Sequence, residues 1–119
     1  MKTRLVCLGF LAMVAGSIGC GGDQKACTLQ SVYGLAITVV DDQTSEPICA
    51  ASVVATDSAH VEVLKEDGCG AYSGAAERPG VYTVSVSKGS FQSTMVGPIT
   101  VSFGECHVEP VRQVVRLRR

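Results

Sequence analysis

Between Leu35 and Leu117 the apolar positions fall at every second residue, in short runs cut by Gly, Pro and Asp. That period sends alternate side chains to opposite faces of a strand. Leu35 to Val40 is read as a first strand with Leu35, Ile37 and Val39 on one face, and Asp41 to Pro47 as a turn. Ile48 to Thr56 is a second strand, with Ala51, Val53 and Ala55 together. Asp57-Ser58-Ala59 turns the chain into a more polar third strand, His60 to Lys65, with Val61 and Val63 inward. Glu66-Asp67-Gly68 is a strong turn signal before a short fourth strand, Cys69 to Ser73. Gly74 to Arg78 reads as a loop, in which Glu77-Arg78 is either a recognition element or, preferably, only solvated, and Pro79-Gly80 fits a type II turn with Gly at the position that needs a positive φ.

The clearest strand is Val81 to Ser87, with Tyr82, Val84 and Val86 on one face. Phe91 to Val96 and Ile99 to Phe103 are two short strands split by Gly97-Pro98. The stretch from Cys106 to Leu117 holds the last strand, where Val111, Gln113, Val115 and Leu117 alternate against Arg112, Val114 and Arg116. No stretch beyond the first 20 residues has the 3.6-residue period of a helix of two turns. The pattern predicts an all-β domain of short strands joined by tight turns.

Residues 1–20 break the pattern. Lys2 and Arg4 precede an apolar run, Leu5 to Ala15, too short to span a membrane and of the length of an export signal's apolar region. Small residues follow, Gly16-Ser17-Ile18-Gly19, and then Cys20. This arrangement resembles the bacterial lipoprotein signal, in which a Cys after a small residue is lipidated and becomes the new N-terminus. The resemblance departs at Ser17, where such signals usually carry an aliphatic residue; an ordinary secretory signal ending near Gly19, or an uncleaved helix, is the alternative. The expected organisation is a signal over 1–19, a lipidated Cys20 with a short polar tether over 20–26, and one domain over 27–119. The address it implies is the bacterial cell envelope, attached to the membrane through lipid.

The 119 residues carry a formal charge of −1, which loses the two positive charges of Lys2 and Arg4 with the signal and becomes −3. Neither value fits a nucleic-acid binder. The one basic cluster, Arg116, Arg118 and Arg119, reads as a solvated strand end and tail, with contact to an anionic surface as the alternative. Trp is absent and aromatics make up 5% of the chain, so small and β-branched residues must fill the core.

Of six Cys, Cys7 goes with the signal and Cys20 takes the lipid. Cys27, Cys49, Cys69 and Cys106 form an even set in an exported chain, which points to two disulfides. Three connectivities are open. The preferred one joins Cys49 to Cys69, the second strand to the fourth, and Cys27 to Cys106, the N-terminal segment to the edge of the domain. A metal site built from Cys106, His107, His60 and another Cys lacks finger spacing, and adjacent residues on a strand point to opposite faces. No metal or other cofactor is expected.

The run Ile37-Thr38-Val39-Val40-Asp41, then Thr44-Ser45-Glu46-Pro47-Ile48, then Ala50-Ala51-Ser52-Val53, resembles the opening of carboxypeptidase regulatory-like domains. Asp67-Gly68, Tyr72 and Pro79-Gly80-Val81-Tyr82-Thr83-Val84 are similar to the later turn and strand of that family. The resemblance covers roughly Leu35 to Leu117. It implies a transthyretin-like antiparallel β-sandwich of about seven strands, used as an accessory or adhesion-like unit. Ser45 stands where the family prefers Gly, so the turn must avoid a positive φ or bear its cost. The superfamily's hydrolase branch ends in a Tyr-Arg-Gly-Ser motif; this chain ends Leu117-Arg118-Arg119, and the activity is not carried over.

The search for reactive chemistry returns no catalytic set. His60 and His107 read as surface or edge residues, and no nucleophile elbow or phosphate-binding Gly loop is present. Asp41-Asp42 and Glu66-Asp67 read as turn residues rather than as a Ca²⁺ loop. The expected function is therefore that of a non-enzymatic, envelope-anchored accessory or interaction domain with a protein or glycan partner of unstated identity. The alternative is a carbohydrate- or peptide-binding module of a surface or secreted system.

Overall fold

A computed structural model describes residues 27–119; the expected signal, Cys20 and the tether to residue 26 lie outside the described residues. Eight strands follow in order: β1 (Tyr33–Asp41), β2 (Ser52–Asp57), β3 (His60–Val63), β4 (Lys65–Glu66), β5 (Ala71–Ala76), β6 (Gly80–Ser87), β7 (Thr94–Val101) and β8 (Val111–Leu117). They form two four-stranded sheets, β4-β5-β1-β8 and β3-β2-β6-β7. No helix occurs among the described residues. Two sheets packed face to face bury one side of each, as the alternation requires.

The core comes from the alternating sets. Leu35, Ile37 and Val39 of β1 meet Val53 and Ala55 of β2 and Tyr82, Val84 and Val86 of β6, with Val115 and Leu117 of β8 closing one side. All of these are fully or almost fully buried. With no Trp, the two largest core side chains are tyrosines, and each has its hydroxyl satisfied. The Tyr72 hydroxyl donates to Ile48 O and accepts from Ala51 N, both at 2.9 Å. The Tyr82 hydroxyl donates to Arg78 O at 2.8 Å. Burial, the main cause, raises the Tyr72 phenol above its ordinary value.

The expected antiparallel arrangement needs one correction. β1 pairs with β5 antiparallel but with β8 parallel, from Leu35 opposite Val111 to Asp41 opposite Leu117. Strand direction does not alter the face alternation of a single strand, so the pattern was blind to it.

The third expected strand is also different. It splits at Leu64, which is buried and donates its N–H to Val53 O, while Lys65 and Glu66 cross over to pair with β5 in the other sheet. Val61 and Val63 therefore do not point inward; they are 63% and 72% exposed. The register explains it. Val63 sits opposite Val54 and Val61 opposite Thr56, and directly opposed residues share a face. Because Val53 and Ala55 hold the core face of β2, Val54 and Thr56 face out, and β3 must follow.

Two further expectations change. The segment Gly74–Ala76 belongs to β5, not to a loop, and the left-handed residues of this corner are Ala75 (φ 55) and Glu77 (φ 50) rather than Gly80. Gly80 instead opens β6 beside the Asp57 carboxylate, where a Cβ has no room. The two strands expected around Gly97-Pro98 are one strand, β7, which pairs with β6 across an irregularity between Tyr82 and Val84. Ser45 takes φ 62, so the turn bears the cost that Gly would have spared.

Candidate functional site

β1 runs the length of the first sheet, and chemistry-bearing side chains gather beyond its two ends. Beyond Tyr33, Cys27 is bonded to Cys106 with a Cα–Cα distance of 5.3 Å. The bond brings Thr28 beside His107, and the Thr28 hydroxyl lies 3.0 Å from His107 Nε2. His107 Nδ1 lies 2.5 Å from Glu77 Oε2. The same carboxylate accepts the main-chain N–H of Val32 at 2.8 Å and of Val108 at 3.2 Å. Burial pushes the Glu77 carboxyl up, but the hydrogen bonds from Val32, His107 and Val108 outweigh it and hold the group below its ordinary value.

Hydroxyl, imidazole and carboxylate thus stand in line, an order that nucleophilic catalysis also uses. The surroundings favour a clasp. Glu77 sits at the β5–β6 corner, Val32 in the N-terminal segment and Val108 in the connection between β7 and β8, so one carboxylate ties three pieces of chain together. The backbone repeats the tie, with Glu77 N donating to Val32 O at 2.9 Å. Beside it Arg78 Nη1 reaches Asp57 Oδ2 at 3.0 Å and the Tyr82 hydroxyl at 3.1 Å.

Beyond Asp41, at the opposite end, Cys49 is bonded to Cys69 with a Cα–Cα distance of 4.5 Å. Gly70 follows at φ 83, with its carbonyl accepting from Val39 N and its α-carbon packed so close to Pro47 that a side chain would collide. Asp41 is the buried charge of this end. Its carboxylate accepts the N–H of Gln43 at 2.8 Å and of Thr44 at 3.3 Å, and Arg119 Nη2 at 3.0 Å. The Gln43 bond first, and Arg119 next, hold its carboxyl below the usual range. Arg119 lies over the Phe91 ring, 4.7 Å from its centre. Arg116 reaches Asp42 Oδ1 at 3.1 Å and the Ser45 hydroxyl at 2.5 Å. Two open hollows of about 210 and 370 Å³ flank Arg119. Their walls mix Asp41, Glu46, Lys88 and Arg119, so neither presents a field of one sign.

Several residues therefore sit elsewhere than the sequence suggested. Arg116 and Arg119 are exposed, as a strand end and tail require, but each also pairs with an aspartate; Glu77-Arg78 is not a solvated loop, since Glu77 holds His107 and Arg78 holds Asp57. His107 is half-buried between Thr28 and Glu77, while His60 stands apart, 3.4 Å from Glu62. Cys106 is used in a disulfide, and the described residues gather no group of three or more His, Cys, Asp or Glu side chains suited to a metal. The signal that would have found the clasp was present: once Cys27 pairs with Cys106, Thr28 and His107 become neighbours.

No family model matches the chain, and no match to it is found among curated proteins.

Proposed function

We propose that this chain is an exported, lipid-anchored β-sandwich of the transthyretin-like, carboxypeptidase regulatory-like kind, serving as a non-enzymatic accessory or interaction domain of a bacterial cell envelope. The observation that carries the reading is the pair of disulfides, one beyond each end of β1. Such bonds persist in oxidising compartments outside the cytoplasm. The N-terminal run from Lys2 through Gly19 to Cys20 supplies the route there and the point of attachment. One acyl chain holds a protein to a bilayer only marginally, whereas several chains make attachment effectively stable.

The Thr28–His107–Glu77 line is read as structural because both Glu77 oxygens are taken by main-chain N–H groups of the segments they join. The exposed apolar side chains of the second sheet, Val61, Val63 and Met95, favour a peptide or protein partner over a glycan, since sugar faces are usually met by aromatic rings. Within the strands of this sheet the one aromatic, Tyr82, is buried; the exposed Tyr33 and Phe103 lie outside those strands.

The test is the intact mass of the protein purified from its native envelope, before and after reduction. Acylation at Cys20 and a gain of four hydrogens on reduction are expected. Metabolic fatty-acid label that survives Cys20→Ala would remove the anchoring claim. An ester or amide hydrolysis that disappears in His107→Ala would replace the accessory reading with an enzymatic one.

A further inference from the structure

We infer that the Cys27 end of the sandwich rests on the lipid surface, with Leu29, Tyr33, Val81 and Phe103 entering the boundary between headgroups and acyl chains. The inference rests on the lipid attachment proposed at Cys20.

The four residues come together through the fold. Tyr33 begins β1 opposite Ala76, next to the Glu77 corner. Val81, the second residue of β6, lies opposite Thr100, near the end of β7. Phe103 bridges to Val108 in the following connection, which carries Cys106 and His107. Leu29 adjoins Thr28, which is bonded to His107. All four are exposed: Leu29 fully, Phe103 55%, Val81 53% and Tyr33 43%. Aliphatic side chains left in water at one spot gain by insertion, and an aromatic ring with a hydroxyl, as in Tyr33, suits the wet side of that boundary.

Chain length fixes the orientation. Six residues lie between Cys20 and Cys27, so seven Cα-to-Cα steps give a reach of at most about 25 Å. Cys27 is itself bonded to Cys106, so the tether leaves the domain from this end and no other. β1 alone has nine residues, about 30 Å of strand. The far end is therefore the one that points away from an acyl chain anchored at Cys20.

Charged groups stand at both ends, and at each end arginines pair with carboxylates. The far end carries Asp41, Asp42, Glu46, Lys88, Arg116 and Arg119 around its turns. At the Cys27 end, Arg78 pairs with Asp57 and His107 with Glu77, which lowers the cost of bringing those groups near a bilayer. Glu109 is exposed beside these pairs, so an uncharged lipid surface suits this end better than an anionic one.

The chain contains no Trp, so one introduced Trp is a unique reporter. Phe103→Trp and, separately, Leu29→Trp are placed in the full-length protein, purified with its lipid and reconstituted in phosphatidylcholine vesicles with brominated acyl chains. Gln43→Trp, in the far turn, is the control. An insertion depth of 5–10 Å predicts a roughly twofold loss of emission for either near-end variant against unbrominated vesicles and no change for the control. Intact mass is read on the same preparations. Acylated protein with equal emission in both vesicle types for both near-end variants, or with the control quenched as strongly, overturns the orientation alone. Protein carrying no lipid overturns the anchoring reading and the orientation with it.

Discussion

Removing either disulfide tests whether the two bonds act as clamps on the chain or as parts of the core. Cys27, Cys49 and Cys69 are exposed and Cys106 is half-buried, so replacing them with Ser opens no cavity. What is lost is the constraint on the unfolded chain. Cys27 and Cys106 are 79 residues apart and enclose almost the whole domain; Cys49 and Cys69 are 20 apart. The loop-entropy relation gives about 4.5 kcal/mol for the first and about 3.3 kcal/mol for the second. The ranking is the sharper part of the prediction, because the structure offers a reason to expect the reverse. Residues 27–31 are all exposed, so the first bond could seem dispensable. If constraint on the unfolded chain dominates, the long loop still matters more, by about 1 kcal/mol.

The assay is urea unfolding of the two double variants, Cys27→Ser with Cys106→Ser and Cys49→Ser with Cys69→Ser. The slope m should rise in both, since an unbridged chain exposes more surface, and more so for the long loop. Equal midpoints, or a larger loss from the Cys49–Cys69 pair, would refute the entropic argument. Stability would then depend on the local hold of Cys69 on the segment before β2.

Four other outcomes are expected. Tyr72→Phe removes the donor to Ile48 O and the acceptor for Ala51 N while keeping the ring, and should cost about 2 kcal/mol by denaturant titration. Val63→Thr on the exposed face should stay within about 0.5 kcal/mol, whereas Leu35→Ala in the core should cost about 2–5 kcal/mol, read from the same titration. Glu77 and Asp41 both have carboxyl groups held low in the fold, so the stability they provide is complete above their ordinary pKa values of 4.5 and 3.8 and is lost as pH falls through the lower folded values. Urea midpoints between pH 5 and pH 2 should fall less steeply for Glu77→Gln than for the unaltered protein; parallel curves would contradict the assignment. Arg119→Ala should weaken the acid limb through Asp41 in the same way, and unchanged pH dependence in that variant would remove Arg119 from the account.

The sequence made the buried faces legible wherever one strand supplied its own alternation. Leu35, Ile37 and Val39, and Tyr82, Val84 and Val86, are in the core as the two-residue period requires. It misled where a partner strand decided. Val61 and Val63 look like an inward pair, but β2 had already committed Val53 and Ala55 to the core, and the register carried β3 outward. Leu64, one residue on, took the buried place and moved the chain to the other sheet. The parallel pairing of β1 with β8 was unreadable for a related reason: it depends on where the last connection delivers the chain.

The polar clusters were missed because each residue looked ordinary by itself. Glu77-Arg78 has the composition of a solvated loop, and so has Arg116 to Arg119. Most of their partners are distant in the chain: Glu77 meets His107, 30 residues on, Arg78 meets Asp57, 21 residues back, and Arg116 and Arg119 meet Asp42 and Asp41, more than 70 residues back. The disulfides supply the long-range information that short-range pattern lacks. Cys27–Cys106 places Thr28 and His107 together and so fixes where the N-terminal segment leaves the domain. On the lipid attachment proposed at Cys20, a tether leaving from a fixed point would be an oriented tether. That is why the exposed Leu29 and Phe103, bland as single surface residues, acquire a direction when the bond beside them is taken into account.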